Sequence, residues 1–350
     1  MIPRITLCDG YSISRIIKGG WHLAGGHGSI DPEQARKDMA SFVDAGITTF
    51  DCADIYTGVE ALIGSFREAY PSHARRIQVH TKFVPDLDDL QTMDRRYVEG
   101  IIDRSLQRLG MEQLDLVQFH WWDYSIPKYI EVALELDRLR RMGKIAHLGV
   151  TNFDTPRVAE IIEAGVSVLT HQVQYSLLDD RPSHGMVDFC RKHGIHLLCY
   201  GTVAGGFLSE RWLGLPAQDP GDGNRSLIKY RLIIDEYGGW DMYQELLQNL
   251  NAIAEAHGCD IATIASRVIL DRPQVAATIV GAVNTSHLPS HLRVGELNLS
   301  SDERAKIERA TSRRRGPAGD IYALERDRSG VHGRIMKYGL NSLPDKHAHA

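Results

Sequence analysis

The sequence predicts an α/β fold in which eight parallel strands and their helices close into one (β/α)8 TIM barrel. The first observation is length, because 350 residues accommodate a barrel of roughly 250 residues together with insertions. The second is the alternation of short apolar runs with segments of helical periodicity, which is typical of βαβ units and a parallel sheet. The third is the number of apolar runs, because eight of them follow one another along the chain and a TIM barrel has eight strands.

The chain begins with a predicted β-hairpin. Residues 4–20 alternate β-prone runs with D-G and G-G turn signals and lead into the first barrel strand. The strands are continuous apolar runs, as expected where helices cover both faces of a sheet. The predicted strands are 16–18, 47–50, 77–81, 114–119, 145–150, 169–173, 195–200 and 275–280. The predicted helices are 32–44, 59–69, 93–109, 129–142, 155–164, 184–193, 242–257, 261–270, 285–296 and 301–312.

Two segments depart from this alternation of strands and helices. Residues 205–240 contain the run L-P-A-Q-D-P-G-D-G-N and predict a long loop insertion within the barrel domain, residues 1–312. Residues 313–350 have little periodicity and form a C-terminal extension. Two interpretations of this extension stay open, a disordered tail and an extended arm that folds over one end of the barrel.

Composition excludes several classes of function. A net charge of −5 argues against a nucleic-acid surface, and no stretch reaches the roughly 18 apolar residues of a membrane span. The N-terminus lacks the apolar core of a signal peptide, so we predict a cytoplasmic protein. The five cysteines are scattered and never paired as C-x-x-C, which favours reduced thiols over disulfides or a structural zinc site.

Polar residues recur where the predicted strands end. In a barrel these ends meet on one face, which carries the ligand chemistry. Each residue alone has a structural explanation, such as a snorkelling lysine or a hydrogen-bonded core histidine. Together they are too many for a packed core and predict a functional site. The residues are Asp51, Lys82, His120, Thr151, Asn152, Gln172 and Tyr200.

Five motifs in a fixed order extend this prediction. They are F-D-x-A-x-x-Y-x-G-x-E from Phe50 to Glu60, T-K at Thr81 and Lys82, H-W at His120 and Trp121, G-V-T-N-F from Gly149 to Phe153, and Q-V-x-Y from Gln172 to Tyr175. With these motifs the chain resembles the aldo-keto reductase family of nicotinamide-dependent barrel oxidoreductases, from about residue 20 to residue 312. The resemblance implies NADP(H) or NAD(H) as cofactor and a small carbonyl compound or sugar as substrate. It leaves the oligomeric state open.

By this resemblance Asp51, Tyr56, Lys82 and His120 form a catalytic tetrad. Carbonyl reduction needs a hydride on carbon and a proton on oxygen, and a tyrosine of pKa about 10 becomes a suitable acid when that pKa is lowered. We therefore expect Lys82 to lower the pKa of Tyr56, and Asp51 to keep Lys82 charged. His120 is expected to donate a hydrogen bond to the substrate oxygen or to relay a proton.

The resemblance also implies the remaining contacts. Residues 279–291 contain no Lys or Arg to neutralise a ribose 2′-phosphate, so NAD and NADP both stay open. The expected substrate contacts are Trp21, Tyr56, Phe83, His120, Trp121 and Trp122. The expected cofactor contacts are Gly20, Trp21, Asp51, Thr151, Asn152, Gln172, Tyr200, Gly201, Thr202, Val203, Gly205, Gly281, Val283 and His287.

Two other interpretations compete with this one. A metal-dependent barrel hydrolase with His80, His120 and Asp51 as ligands is disfavoured because Lys82 faces the same way as His80, and the H-x-H pair His347 and His349 lies in the tail. We therefore predict no metal. A regulatory barrel that binds the cofactor with little turnover is the second alternative, and the intact tetrad argues against it.

Overall fold

The computed structural model describes residues 2–24, 30–217 and 224–341, and its centre is a closed parallel barrel. The barrel closes in the order β10-β3-β4-β5-β6-β7-β8-β9, which confirms the predicted fold class. Two further strands form a separate antiparallel pair. The strands are β1 Arg4–Cys8, β2 Tyr11–Ser14, β3 Ile16–Gly19, β4 Thr49–Asp51, β5 Gln78–Phe83, β6 Leu114–Phe119, β7 Ile145–Thr151, β8 Thr170–Gln174, β9 His196–Tyr200 and β10 Val275–Gly281.

Helices follow the barrel strands and cover the outside of the barrel. Side-chain caps mark several helix starts, because an Asp or Ser oxygen accepts from a backbone N–H of the first turn. The helices are α1 Pro32–Asp44, α2 Val59–Ala69, α3 Pro71–Ala74, α4 Arg95–Leu109, α5 Tyr129–Arg141, α6 Thr155–Glu163, α7 Met186–His193, α8 Arg225–Tyr237, α9 Trp240–His257, α10 Ile261–Leu270, α11 Leu288–Glu296, α12 Ser301–Thr311 and α13 Ala323–Arg326. Within the described residues, no helix combines the length and apolar composition that crossing a bilayer requires.

The hairpin of β1 and β2 closes the amino-terminal end of the barrel. Its Tyr11 lies inside, with the hydroxyl 2.9 Å from Nε2 of His80. Leu7 and Ile13 of the hairpin pack with the inward-facing Leu116 and Leu198. This end is therefore filled by side chains, which leaves the carboxyl ends of the strands for ligand chemistry.

The second barrel strand begins two residues later than predicted. Gly46 has a φ of 92°, and the N–H of Ile47 donates to the carbonyl of Phe42 at 2.9 Å. This pattern closes the C-terminus of α1, so Ile47 completes a helix end rather than starting the strand. The apolar residue that suggested a strand is buried for a different reason, since it packs in the core beside α1.

The segment 205–240 is not a loop throughout, which corrects the prediction. It contains α8, which is capped by Asn224; the Asn224 side chain accepts from the N–H groups of Ser226 and Leu227. The Gly- and Pro-rich run before α8 hides its helical periodicity in the sequence. One face of α8 is buried against the turns that follow β9, through Tyr230, Ile233, Ile234 and Tyr237.

The described part of the C-terminal extension, residues 313–341, is an arm that folds over the carboxyl end of the barrel. The backbone N–H of Arg315 donates to Tyr237 of α8, and Asp320 accepts from the N–H of Thr155. At the far end of the arm, the N–H groups of Leu340 and Asn341 both donate to Asp86, each at 2.8 Å. The arm therefore spans the mouth of the barrel from α8 to the loop after β5.

Two helical glycines provide a matched test of this packing. A Cβ on Gly64 of α2 would lie 2.1 Å from the backbone oxygen of Arg108, whereas a Cβ on the exposed Gly100 of α4 would meet nothing within 4 Å. We expect Gly64→Ala to destabilise the fold by about 2 kcal/mol through overpacking. Gly100→Ala should stabilise it by about 0.5–1 kcal/mol through helix propensity. Denaturant unfolding measures both, and equal effects would contradict the close packing of α2 on α4.

Candidate active site

A buried ion pair lies at the base of the candidate site. Nζ of Lys82 donates to Oδ2 of Asp51 at 2.7 Å and to the carbonyl of Cys52 at 2.8 Å, and both charged side chains are 5% exposed. The other Asp51 oxygen accepts from Nε2 of Gln172 at 2.6 Å and of Gln118 at 3.2 Å. Burial works to lower the pKa of Lys82, but Asp51 and Tyr56 outweigh it and the pKa is raised. Lys82 is therefore held as an ammonium.

Tyr56 lies directly above this pair, on the loop that follows β4. Its half-buried ring has the Lys82 ammonium 4.9 Å from the centroid and meets the ring of Trp21 edge-on at 5.1 Å. Burial raises the pKa of Tyr56, and Lys82 only partly opposes this effect. The expected net lowering is therefore wrong, because desolvation disfavours the phenolate more than the ammonium favours it. Tyr56 keeps its proton at neutral pH.

His120 occupies the next position along the inner wall. Its Nδ1 lies 3.1 Å from the carbonyl oxygen of Thr151, and its buried Nε2 has no hydrogen-bond partner among the described residues. The imidazole meets the rings of Trp122 and Tyr322 nearly perpendicularly, with centroids 4.3 and 5.6 Å away. Burial, assisted by the positive charge of Arg326, lowers the pKa of His120 to about 3. The imidazole is neutral at physiological pH.

Strand register explains why these groups meet. Lys82 and Gln118 are register partners on β5 and β6, and both donate to Asp51 on β4. Alternate residues of a strand share a face, so His120 lies on the inner face one step above Gln118. The four residues of the predicted tetrad are therefore brought to one end of the barrel.

The same alternation moves two predicted substrate contacts away from the site. Phe83 and Trp121 directly follow the inward-facing Lys82 and His120, so they point outward. Both are fully buried, and Trp121 packs against Phe119 and Tyr129 of α5. The prediction that Phe83 and Trp121 line the substrate pocket is therefore wrong. Both side chains lie in the core between the barrel and its helices. Trp122 does lie beside His120, with its indole N–H donating to the Pro85 carbonyl at 2.7 Å.

Three residues near the site were not identified from the sequence, namely Gln118, Tyr322 and Arg326. Gln118 could have been found, because it falls between Leu116 and His120 in the inward alternation of β6. Tyr322 and Arg326 carry no local signal, because they lie on the arm and reach the site only through the tertiary fold. Arg326 donates to the carbonyl of Trp121 at 2.9 Å.

The ends of β7 and β9 provide a surface that fits a nicotinamide ring. Asn152 has a φ of 59°, and its amide oxygen accepts from the hydroxyl of Tyr200 at 2.9 Å. This bond leaves the amide NH₂ for an acceptor, while Oγ1 of Thr151 is buried without a hydrogen-bond partner among the described residues. An amide NH₂ and a hydroxyl suit a carboxamide, and the half-buried ring of Tyr200 offers a flat face. Gln172, by contrast, is committed to Asp51 and Gln118.

The predicted glycines of the cofactor site have definite neighbours. A Cβ on Gly20 would lie 2.8 Å from the Asp51 carbonyl, and one on Gly281 would lie 2.3 Å from His22. Gly201 and Gly205 have positive φ, and the side chain of Tyr230 already approaches them. An ideal Cβ would lie 2.2 Å from the Tyr230 hydroxyl at Gly201 and 2.6 Å from a Tyr230 ring carbon at Gly205. At these two predicted cofactor contacts, the close approach that glycine permits is made by a side chain of α8.

The other predicted cofactor contacts vary in exposure. Thr202 is buried, with its hydroxyl 3.0 Å from that of Ser266, and Val203 is half-buried. Val283 is 40% exposed, and His287 lies exposed at the start of α11. Trp21 is 39% exposed beside Tyr56. The exposure of these residues does not test whether they bind a cofactor, so the predicted cofactor contacts stay predictions.

The groups considered for a metal site are otherwise engaged. His80 is bound to Tyr11 on the barrel floor, and Asp51 is paired with Lys82. Across the described ranges, no cluster of three or more His, Cys, Asp or Glu is arranged to hold a metal ion. His347 and His349 lie outside the described residues.

A second buried charge network anchors the arm beside the site. Glu325 of α13 lies 3.4 Å from both Arg181 and Lys229, and Arg181 also pairs with Asp179 at 2.7 Å. The Lys229 ammonium lies 5.4 Å from the ring centroid of Tyr200. Burial works to raise the pKa of Glu325, but the two cations outweigh it and lower the pKa to about 2. The arm is thus fixed against α8 and the loop after β8.

Comparison with known proteins identifies the class. The family model described as aldo/keto reductase family matches residues 15–312. The chain is 24% identical over 319 residues to an L-glyceraldehyde 3-phosphate reductase of Escherichia coli O157:H7, covering 86% of this chain and 89% of that protein. A solved glycerol dehydrogenase from Gluconobacter oxydans has the same fold, with a TM-score of 0.75 at 23% identity over 91% of this chain and 97% of the other.

A further relative is longer than this chain. The chain is 29% identical over 299 residues to flagellar radial spoke protein 5 of Chlamydomonas reinhardtii, covering 68% of this chain but only 56% of that protein. The family match and the reductases among the relatives point to an NAD(P)-dependent oxidoreductase. The chain belongs to the aldo/keto reductase family.

The anchor of the arm predicts a specific pH dependence. The pKa of Glu325 falls from 4.5 to about 2 on folding, so its stabilisation is complete above pH 4.5 and is lost as the pH falls toward 2. We expect Glu325→Gln to destabilise the protein by about 3 kcal/mol at neutral pH, with the difference from wild type shrinking below pH 4.5. The exposed Glu112→Gln serves as control, with an expected change within about 0.5 kcal/mol. Denaturant unfolding at several pH values would contradict the pairing if the difference stayed constant.

Proposed function

We propose that this chain reduces carbonyl compounds with NADPH or NADH, with Tyr56 as the proton donor. The observation that carries the proposal is the Lys82–Asp51 pair buried directly beneath the ring of a protonated Tyr56. An acid that donates to a developing alkoxide becomes negative itself, and a nearby fixed positive charge stabilises that phenolate. Asp51 holds Lys82 in place and in its charged form, so the charge is present before the reaction begins.

The bound nicotinamide would supply the hydride to the carbonyl carbon. Hydride transfer depends on placement to within about 1 Å, so the residues beside the ring act by positioning. We assign this role to Asn152 and Thr151, toward the carboxamide, and to Tyr200, on the face of the ring. Proton transfer from Tyr56 to the carbonyl oxygen completes an alcohol, and in the oxidative direction the same residue takes the proton back.

The choice between NADH and NADPH follows from charge. A ribose 2′-phosphate needs basic partners, and residues 279–291 contain neither Lys nor Arg. His287 is exposed in this region and gives a weaker clamp than an arginine would. The absence of Lys and Arg from residues 279–291 favours acceptance of NADH.

The proposed substrates are small aldehydes, ketones or aldoses. The pocket mouth combines the aromatic rings of Trp21, Trp122 and Tyr322 with the polar groups of Tyr56 and His120. Aromatic walls with few polar groups suit a small organic carbonyl compound or a sugar. The name of the Escherichia coli relative, which refers to a hydroxylated aldehyde, supports the same class.

Removal of one hydroxyl tests the proposed acid. We expect Tyr56→Phe to lower kcat/KM for aldehyde reduction by about 10²- to 10⁴-fold, the usual contribution of a positioned general acid. Tyr70→Phe is the matched control, because Tyr70 caps the C-terminus of α2, at the opposite end of the barrel from the site. It should leave the rate unchanged. Similar rates for Tyr56→Phe and wild type would refute the mechanism.

Cofactor titration tests the class of ligand independently of turnover. We expect NADH, and NADPH more weakly or equally, to quench tryptophan fluorescence, because Trp21 is partly exposed beside Tyr56. Much tighter binding of NADPH would contradict the inference drawn from residues 279–291. Binding without any carbonyl reduction would favour the regulatory barrel, and binding of neither would exclude a nicotinamide enzyme.

A further inference from the structure

Only one carboxylate oxygen of Asp51 pairs with Lys82. Oδ2 accepts from the Lys82 ammonium at 2.7 Å, whereas Oδ1 accepts from Nε2 of Gln172 at 2.6 Å and from Nε2 of Gln118 at 3.2 Å. A carboxylate oxygen only accepts, so both amide nitrogens must point toward it. Oδ1 is therefore paired with two uncharged donors.

Gln118 also holds Gln172 in place. The amide oxygen of Gln118 accepts from Nε2 of Gln172 at 3.1 Å, while its own nitrogen donates to Asp51. The side chains of Asp51, Gln118 and Gln172 thus form a closed ring of hydrogen bonds, and all three residues are buried. Loss of the Gln118 amide would take a donor from Asp51 and an acceptor from Gln172 at the same time.

The charge of Asp51 opposes the charge of Lys82 at Tyr56. The Lys82 ammonium favours the phenolate form of Tyr56, whereas the Asp51 carboxylate raises the pKa of Tyr56. An N–H group that points at a carboxylate offsets part of its negative charge. In a buried site this effect is only weakly screened by water, so the donors on Oδ1 reduce the field that Asp51 exerts on Tyr56.

We propose that Gln118 is a positioning residue for proton transfer, which offsets part of the Asp51 charge and holds Gln172 where it offsets more. The Lys82 ammonium then acts on Tyr56 with less opposition. Gln118 acts through Asp51, because its side-chain hydrogen bonds join it to Asp51 and Gln172. The inference rests on the proposed function, since it takes Tyr56 as the group that exchanges the proton.

The other titratable groups around Tyr56 keep one form near and above neutral pH. Lys82 stays an ammonium, because Asp51 and Tyr56 outweigh the effect of burial on its pKa. Burial raises the pKa of the Cys52 thiol and of the Tyr200 hydroxyl well above their ordinary values. His120, with a pKa of about 3, is neutral. A pH-dependent step in the rate of alcohol oxidation above neutral pH therefore reports Tyr56.

The pH dependence of alcohol oxidation tests the inference. Full-length protein is assayed with its preferred oxidised nicotinamide and the alcohol product of its best aldehyde substrate. Oxidation needs Tyr56 as the phenolate, so kcat/KM rises with pH up to an apparent pKa. In Gln118→Met, which has no amide, we expect this apparent pKa to rise by about 0.5–1 and kcat/KM below it to fall by about 3- to 10-fold. Gln118→Asn, whose amide is one methylene shorter, should shift it less in the same direction.

Gln174→Met is the matched control. Gln174 of β8 is also buried, and its Nε2 donates to Oδ2 of Asp179 at 2.6 Å, but that carboxylate pairs with Arg181 rather than with Lys82. The variant removes the same kind of hydrogen bond from a different ion pair. Denaturant unfolding should show a loss of stability in Gln118→Met and in Gln174→Met, whereas the apparent pKa should stay at the wild-type value in Gln174→Met.

An apparent pKa that is unchanged in both Gln118 variants, or that shifts as much in Gln174→Met, would overturn the inference. A second measurement needs no turnover. In ¹³Cζ-tyrosine NMR with the oxidised nicotinamide bound, Tyr56, assigned with Tyr56→Phe, should titrate at a higher pH in Gln118→Met than in wild type, and equal midpoints would also overturn it. The proposed function fails differently, since Tyr56→Phe would then react as fast as wild type.

Discussion

The rest of the candidate site depends on the buried pairing of Lys82 with Asp51. Two charges removed from water are stable only when their remaining hydrogen-bonding groups are satisfied. Here the carbonyl of Cys52 and the amides of Gln118 and Gln172 complete the pair, and these groups come from β4 and its following loop, β6 and β8. Barrel closure brings these parts of the chain together, so the fold and the charge pair require each other.

The C-terminal arm encloses part of the mouth of the barrel. Tyr322 packs against His120, and Glu325 ties the arm to Lys229 and Arg181. Exclusion of water strengthens electrostatic interactions and disfavours uncompensated charge. Burial therefore keeps Tyr56 protonated, although the Lys82 ammonium lies beside it. Burial also keeps the imidazole of His120 neutral. The protonation states of the site come from its enclosure as much as from its charged neighbours.

Much of the fold could be predicted from local patterns, and the errors have physical causes. Continuous apolar runs identify barrel strands because both faces of those strands are covered. The pattern fails at Ile47, where an apolar residue closes a helix, and at α8, where a Gly- and Pro-rich run obscures helical periodicity. Phe83 and Trp121 show that an aromatic residue next to a site residue faces the opposite side of a strand.

The sequence by itself determined the number of strands, the order of the motifs and the identity of the polar residues at the strand ends. These properties are local, since each follows from a short run of residues. Only the tertiary structure decided the hydrogen-bond partners of Asp51, the raised pKa of Tyr56 and the lowered pKa of His120. Those properties depend on burial and on groups such as Thr151, Arg326 and Tyr322, which are distant in the chain. The contacts between these distant groups, and the exclusion of solvent around them, form only when the barrel closes and the arm packs over it.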